Sequence, residues 1–175
     1  QRYYDLGARY MTLSHVLNND ICDSSTDPRG PEHHGLSKFG KEVVKEMNRL
    51  GMVVDVSHIS DEAFYDCLKY SKAPVAATHS SVRALFDHPR NLSDDMIIAL
   101  AKQGGVVQKN MFSGYLKDDS PARKKALATL DKKYPKNNSL RKEQKQQRSA
   151  ELKKINKQYP KELATLKVAM DHLDH

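Results

Sequence analysis

The chain has 175 residues, enough for one domain with a hydrophobic core, and its formal net charge is +7. Apolar residues make up 38% of the sequence, and no apolar run approaches the roughly 20 residues that a membrane-spanning helix needs, which excludes such a helix here. The charge is local: residues 117–167 carry 16 Lys or Arg and 6 Asp or Glu, whereas the remainder has a net charge of −3. Nucleic acid or an anionic membrane surface is therefore a candidate partner for that stretch alone.

The first elements alternate between strand and helix. Residues 9–14 have the composition of a strand, and a polar loop follows over 16–35. Ser37 is a predicted helix N-cap, and apolar residues recur at helical spacing until Gly51 stops the pattern. Residues 52–56 form a second predicted strand.

The same alternation continues through the next sixty residues. Ser60 is a predicted cap of a second helix, and residues 74–78 form a third short strand. Ser93 opens a third helix, and a fourth strand begins with residues 105–107. Near-continuous apolar strands between helices indicate parallel βαβ units with strands buried on both faces. Four such units fit half of a (β/α)8 barrel or a small doubly wound sheet.

The composition changes at Lys117. Residues 120–134 and 140–157 are rich in Lys, Gln, Glu and Ala with a thin apolar stripe, which predicts solvated helices. A nucleic-acid-binding module over 141–161 is an alternative reading of this stretch. Its only aromatic residues are Tyr134 and Tyr159, so a solvated helical surface is the simpler interpretation and no nucleic-acid partner is predicted.

Histidines follow three successive predicted strands. His15 follows the first strand, His58 the second and His79 the third. Because the carboxyl ends of parallel strands meet at one edge, these residues are expected to converge on one pocket. Imidazole suits zinc or another borderline divalent metal. Arg90, in the loop before the Ser93 cap, could clamp a carboxylate bidentately, or it could be an ordinary surface arginine.

Other polar residues have more ordinary interpretations. His33 and His34 are adjacent, so their side chains point apart and a shared metal site is not favoured. Asp20 and Asp23 are interpreted as turn residues. Asp55 lies on a buried strand and is a candidate for an outer partner that supports a metal ligand. Each of the three strand-end histidines, taken alone, is more often a loop or capping residue, and it is their occurrence after three successive strands that favours a site.

Six consecutive motifs together resemble the membrane (renal-type) dipeptidase family, over about residues 7–112. They are YMTLSH at 10–15, GLSKFGKEVV at 35–44, MNRLGMVVDVSH at 47–58, PVAATHSS at 74–81, DHPRNLSDD at 87–95 and GGVV at 104–107. The resemblance implies a zinc peptidase of the amidohydrolase-like superfamily, with a (β/α)8 barrel and a two-metal, usually di-zinc, site. A hydroxide that bridges the metals would hydrolyse dipeptides. Localisation stays open, because members of the family are lipid-anchored, exported or cytoplasmic.

The resemblance also assigns roles to four residues. His58 and His79 correspond to two histidines that bind one zinc ion. His15 corresponds to a histidine that contacts the substrate and stabilises the tetrahedral intermediate, and Arg90 to an arginine on the substrate's carboxylate side. The predicted site is therefore catalytic and substrate-binding at His15, substrate-binding at Arg90, and metal-binding at His58 and His79.

The family's remaining ligands cannot be assigned in this sequence. A His-x-Asp pair and a bridging glutamate belong before His15, and a further aspartate belongs beyond His175. We therefore expect a fragment, about strands 4–7 of the barrel, with one partial metal site and no activity alone. The chain would then divide into three parts: barrel units over 1–116, a basic helical insertion over 117–167, and the start of the helix that leads to the last strand over 168–175. Its expected partners are a dipeptide and the remaining half of the barrel.

Two questions stay open at this point. A non-catalytic scaffold or binding protein that keeps the barrel but has lost the metal is the main alternative to an enzyme. A homodimer is the alternative to a monomer. An open four-stranded segment would expose two unpaired strand edges and much of its barrel-facing apolar surface, so we expect low stability unless another chain or segment covers it.

Overall fold

The computed structural model describes residues 1–135 and 140–175 of the chain. The elements in these residues are α1 (Arg2–Asp5), β1 (Tyr10–Thr12), α2 (Lys38–Leu50), β2 (Val53–Asp55), α3 (Asp61–Tyr70), β3 (Ala76–Ser80), α4 (Asp94–Lys102), β4 (Val106–Lys109), a 3₁₀ turn (Ser113–Tyr115), α5 (Pro121–Lys133), α6 (Lys142–Gln158) and α7 (Leu166–Asp174). The strands and the helices α2 to α6 lie where the sequence predicts them, whereas α1 and the 3₁₀ turn were not predicted.

The four strands form one sheet in the order β1-β2-β3-β4, and every neighbouring pair is parallel. Helices α2, α3 and α4 each connect one strand to the next, so all four strands end at the same edge of the sheet. A doubly wound sheet reverses its strand order at a switch point. The sequential order observed here is instead that of a barrel segment.

Three serines begin the helices that cross over between strands. Ser37, Ser60 and Ser93 each accept a hydrogen bond from the backbone N–H three residues later, at 2.9, 3.2 and 3.3 Å. Gly51 ends α2 in the left-handed region with φ 76°, a conformation that glycine adopts without a steric penalty. These contacts confirm the predicted helix boundaries.

The hydrophobic core lies between the sheet and helices α2, α3 and α4. One face of the strands contributes Leu13, Val54, Val56, Val75 and Ala77, all buried. The helices cover this face with buried side chains that include Val44, Met47, Phe64, Cys67, Met96 and Leu100. This packing fixes the relative positions of the strands and thereby the edge at which they end.

The opposite face of the sheet is open at the amino ends of the strands. Tyr10, Val53 and Val106 are 57%, 40% and 54% exposed. The prediction of strands buried on both faces is wrong at these positions, because the described residues form four strands and no layer over this face. The exposure agrees with the expectation for an open barrel segment.

The basic stretch forms an antiparallel helix pair, α5 and α6. Arg148 donates to Asp131 at 2.7 Å and Lys133 to Glu151 at 2.7 Å, while Arg123 donates to the Tyr159 carbonyl at 2.6 Å. Residues 136–139 of the predicted insertion lie outside the described residues, and the three-part division of the chain stays a prediction. No helix in the described residues is long and apolar enough to cross a membrane.

Candidate functional site

Three histidines meet at the carboxyl edge of the sheet. The ring centroids of His15 and His58 are 4.3 Å apart, and those of His58 and His79 are 4.8 Å apart. The Nε2 atoms of His58 and His79 are separated by 2.8 Å. The structure thus brings together the three histidines that the sequence predicts at successive strand ends, although His79 lies within β3 (Ala76–Ser80) and not after it. His15 is exposed and His58 is buried.

Two irregularities of the backbone direct these side chains. His58 follows β2 with φ 74°, in the left-handed region that is uncommon for residues with a side chain. In β3 the register with β4 shifts between Ala77 and Ser80, so one extra residue is inserted there. Such a bulge changes the direction of a side chain relative to the regular strand, and His79 lies within it. Strained and bulged backbone of this kind concentrates at functional sites.

A buried carboxylate lies behind His79. Asp55 is fully buried and its Oδ2 accepts hydrogen bonds from the hydroxyls of Thr12 at 2.5 Å and Thr78 at 2.6 Å. Its Oδ1 accepts from the backbone N–H groups of Ser57 at 3.0 Å and Thr78 at 3.1 Å. Burial raises the pKa of Asp55, but these four donors outweigh it and the pKa lies below its ordinary value. Asp55 is therefore an ionised acceptor.

Thr78 connects this carboxylate to His79. The Thr78 hydroxyl lies 2.8 Å from His79 Nδ1, and the His79 backbone N–H donates to the Ser57 hydroxyl at 3.0 Å. The sequence analysis proposed Asp55 as an outer partner of a metal ligand. The structure places it behind His79, through Thr78, although it precedes His58 by only three residues.

Arg90 is buried beside the histidines. Its exposure is 3%, and its Nη2 donates to the His79 carbonyl at 3.2 Å. The guanidinium lies over the ring of Tyr115, 5.4 Å from the centroid. Arg90 Nε is buried without a hydrogen-bond partner, and no carboxylate forms an ion pair with Arg90 in the described part of the chain. A buried guanidinium in this state is a binding group for an anion.

Burial and Arg90 lower the pKa values of His58 and His79. The pKa of His58 is lowered to about 4, chiefly by burial and next by the positive charge of Arg90, with further contributions from His15 and His79. Burial and Arg90 also lower the pKa of His79, which Asp55 partly offsets. Neutral imidazole at pH 7 is the form that binds metal ions.

The Nε2 atoms of His58 and His79 are spaced as two ligands of one metal ion would be. Two nitrogens bound to a shared zinc at about 2.0–2.1 Å lie about 3 Å apart, and the Nε2 atoms of His58 and His79 are 2.8 Å apart. Contact of His79 Nδ1 with Thr78 leaves Nε2 for the metal. No group of three or more His, Cys, Asp or Glu side chains within residues 1–135 and 140–175 could hold an ion.

Other polar residues of the sequence analysis lie outside this site. His33 Nε2 contacts the carbonyl of Asn19 at 2.9 Å, and Asp23 accepts backbone N–H groups of the first loop, including that of Gly35 at 3.0 Å. The Asp20 carbonyl accepts from the Ser37 hydroxyl at 2.6 Å. These contacts stabilise the loop between β1 and α2, in agreement with their interpretation as turn residues.

The sequence analysis missed four residues of the site: Thr12, Ser57, Thr78 and Tyr115. Thr12 and Thr78 directly adjoin apolar strand residues, and their residue type alone predicts no chemical role. Their meeting with Asp55 depends on the pairing of Thr12 with Asp55 across β1 and β2. Strand register was the missing signal, since it cannot be read from one strand at a time.

Comparison with known proteins gives consistent relatives. An uncharacterized dipeptidase of Schizosaccharomyces pombe is 41% identical over 116 residues, which is 66% of this chain and 28% of that protein. The dipeptidase tcpJ of Claviceps purpurea is 47% identical over 105 residues, 60% of this chain and 24% of that protein. The chain thus spans about a quarter of the length of these curated relatives.

Two solved structures share the fold. The probable dipeptidase PvdM of Pseudomonas aeruginosa superimposes with a TM-score of 0.85 and 31% identity, over 99% of this chain and 48% of that protein. The aligned region therefore includes the basic helices. A metallopeptidase of Rhodobacter sphaeroides, bound to a phosphinate mimic of the dipeptide L-Ala-D-Ala, superimposes with a TM-score of 0.61 and 28% identity, over 66% of this chain and 34% of that protein.

The sequence profile of one family matches the whole chain. Its description is membrane dipeptidase, peptidase family M19, and the match extends over residues 1–175. The parallel sheet in sequential order and the superposition on PvdM agree with an α/β fold that is part of a TIM-barrel-like dipeptidase. Members of this family are metallopeptidases, so membership implies a metal cofactor. The chain belongs to the membrane dipeptidase family.

Proposed function

We propose that the protein is a metal-dependent dipeptidase and that this chain contributes one half of its metal site together with its substrate carboxylate site. One observation carries the proposal: the Nε2 atoms of His58 and His79 are 2.8 Å apart, beside the buried Arg90, which is 3% exposed. A scaffold that had lost its metal would have no need of neutral, juxtaposed imidazoles or of a buried unpaired guanidinium. The geometry thus favours the enzyme over the scaffold.

His58 and His79 would hold one ion, and we propose zinc, with a second zinc held by residues that the described chain does not supply. When bound, zinc lowers the pKa of water towards neutrality and polarises a carbonyl oxygen. The remaining half of the barrel, which would supply the other ligands, is the proposed partner of this chain. The exposed strand face at Tyr10, Val53 and Val106 is the surface it would cover.

His15 is proposed as the residue that stabilises negative charge on the scissile carbonyl oxygen. Its residue is exposed and its ring lies 4.3 Å from that of His58, so it borders the two imidazoles that would hold the metal. Donation from an imidazole N–H to an oxyanion is favourable where the developing charge is shielded from water. His15 would act on the substrate, whereas His58 and His79 would act on the metal.

Arg90 is proposed to bind the free carboxylate of the dipeptide. The buried guanidinium, supported by Tyr115, has hydrogen-bonding capacity that the described residues do not use. A guanidinium can bind a carboxylate through two parallel hydrogen bonds. Because Arg90 also contacts the His79 carbonyl at 3.2 Å, the carboxylate would sit a short distance from the metal. That distance would select dipeptides over longer peptides.

The test is the zinc content and dipeptide hydrolysis of the full-length gene product, with His58→Ala and, as a matched control, His33→Ala. His33 lies in the first loop with its ring on the Asn19 carbonyl, so its variant is expected to keep both properties. His58→Ala is expected to lose at least one equivalent of bound metal and nearly all turnover. Unchanged zinc stoichiometry and turnover in His58→Ala would show that the proposed site is wrong.

A further inference from the structure

We propose that Asp55 and Thr78 form a positioning pair that holds His79 with its proton on Nδ1 and its Nε2 lone pair free for the metal. The inference rests on the proposed metal site. It goes beyond that site because it assigns a function to two residues that touch neither metal nor substrate. The sequence predicts Asp55 only as an outer partner of a metal ligand, and it predicts neither the role of Thr78 nor the tautomer of His79.

The direction of each hydrogen bond follows from the donors around Asp55. This carboxylate receives two hydroxyls and two backbone N–H groups, from Thr12, Ser57 and Thr78, all between 2.5 and 3.1 Å. An ionised carboxylate only accepts hydrogen bonds. The single hydroxyl hydrogen of Thr78 therefore points at Asp55 Oδ2, 2.6 Å away.

The Thr78 oxygen then has only lone pairs left for His79. Its distance to His79 Nδ1 is 2.8 Å, so the imidazole must donate and Nδ1 must carry the hydrogen. A neutral imidazole carries one hydrogen, which leaves Nε2 as a lone pair. The reverse arrangement, with Thr78 donating to Nδ1, would place two hydrogen-free oxygens 2.6 Å apart. Asp55 thus selects the tautomer through Thr78.

His58 is held by a different device. Its Nδ1 is buried and has no hydrogen-bond partner. Its orientation comes from the left-handed backbone at φ 74° and from packing between the rings of His15 and His79, at 4.3 and 4.8 Å. Its Nε2 also lies 2.8 Å from His79 Nε2, and with the lone pair on His79 the hydrogen of this contact lies on His58. Loss of the positioning pair should therefore loosen His79 more than His58, whose backbone conformation does not depend on Thr78.

Asp55 also connects three strands through hydrogen bonds, so the test needs a control variant that separates a loss of stability from a loss of metal affinity. Thr12 on β1 and Thr78 on β3 both donate to the same Oδ2 of Asp55 on β2. Thr12→Val removes a strand-bridging hydroxyl and leaves the contact between Thr78 and His79 intact. Thr78→Val removes the same kind of bond and also the contact with His79, while Thr78→Ser restores the hydroxyl.

The first measurement is the tautomer of His79 in the full-length gene product, stripped of metal and labelled with ¹⁵N at histidine. Long-range ¹H–¹⁵N spectra distinguish Nδ1–H from Nε2–H, and a His79→Gln variant assigns the signal. We expect Nδ1–H in the parent protein and in Thr78→Ser, and a loss of this preference in Thr78→Val. A parent protein with His79 as the Nε2–H tautomer would overturn the proposal, whether or not any variant folds.

The second measurement is zinc affinity by competition with a chelator, together with the urea unfolding midpoint. Thr78→Val is expected to bind zinc about 10–100-fold more weakly, and Thr78→Ser and Thr12→Val within about threefold of the parent. Equal losses of affinity in Thr12→Val and Thr78→Val would overturn the proposal in favour of a purely structural role. The Nδ1–H tautomer in a protein that binds no zinc would support the positioning pair and refute the proposed function instead.

Discussion

Replacement of Arg90 by methionine is expected to reduce activity and to raise stability at the same time. Arg90 is 3% exposed, its Nε has no hydrogen-bond partner, and its Nη2 donates to the His79 carbonyl at 3.2 Å. Burial lowers the pKa of Arg90 below its ordinary value, which shows that the charged form is poorly solvated. Methionine has a comparable length and no charge, so it can fill the space beside Tyr115.

The effect on activity follows from the lost carboxylate contact. A hydrogen bond to a charged group contributes about 1.5–3 kcal/mol, and the guanidinium of Arg90 can offer two to a carboxylate. Loss of about 3 kcal/mol of transition-state binding corresponds to a drop of about 100-fold in kcat/KM. A dipeptide amide, which lacks the carboxylate, should already be a poor substrate and should lose little more in Arg90→Met.

The effect on stability has the opposite sign. An unpaired buried charge costs free energy, and its replacement by an apolar side chain of similar volume recovers part of that cost. We expect Arg90→Met to raise the free energy of unfolding by about 1 kcal/mol, after the loss of its contact with the His79 carbonyl. Arg83 is the matched control, because it forms two hydrogen bonds of 2.6 and 2.7 Å with Asp61. Arg83→Met should destabilise the protein.

The kinetic assay compares kcat/KM for a dipeptide and for its amide in the full-length gene product, Arg90→Met and Arg83→Met. Urea unfolding of the same three proteins gives their free energies of unfolding. A carboxylate-specific loss of activity with a gain in stability is the expected pattern for Arg90→Met. Equal losses on the acid and the amide would refute the carboxylate role. A destabilised Arg90→Met would show that Arg90 supports the fold.

Two further predictions concern stability. His172 on α7 is buried, its Nδ1 accepts from the Val82 N–H at 3.1 Å, and burial lowers its pKa below 6.5. The unfolded chain therefore binds the proton more readily than the folded chain, and the free energy of unfolding should fall as the pH drops below about 6.5. Urea unfolding at several pH values should show a smaller pH dependence in His172→Gln. Gly40→Ala would place a Cβ 2.0 Å from the Ile21 carbonyl oxygen, so we expect a loss of about 1–3 kcal/mol despite the better helix propensity of alanine. A urea midpoint of the parent protein that does not change with pH would contradict the first expectation, and a Gly40→Ala variant more stable than the parent would contradict the second.

The net charge of +7 has a structural explanation that does not involve the substrate. It belongs to the helix pair α5 and α6, where Arg148 and Lys133 are ion-paired with Asp131 and Glu151. The site itself combines His58 and His79, whose pKa values are lowered, with one buried arginine. The charge of the chain therefore carries little information about what the site binds.

Much of the fold could be predicted from the sequence because its signals are local. Ser37, Ser60 and Ser93 cap helices through N–H groups three residues away, and Gly51 stops α2 through its own backbone conformation. The first two strands were predicted too long, at 9–14 and 52–56, and the third was predicted two residues too early, at 74–78. Strand bounds depend on pairing with neighbouring strands, which a local pattern does not contain. The short helix α1 lacks a side-chain cap and gave no such signal.

The sequence by itself determined that His15, His58 and His79 lie at or near the carboxyl ends of three successive parallel strands, and therefore that they would share one edge of the sheet. Only the tertiary structure decided what surrounds them. The register of β1 on β2 brings Thr12 to Asp55, and the bulge in β3 places Thr78 between that carboxylate and His79. The physical reason is that caps and periodicity act between near neighbours, whereas register and burial depend on segments that meet only after the chain has folded.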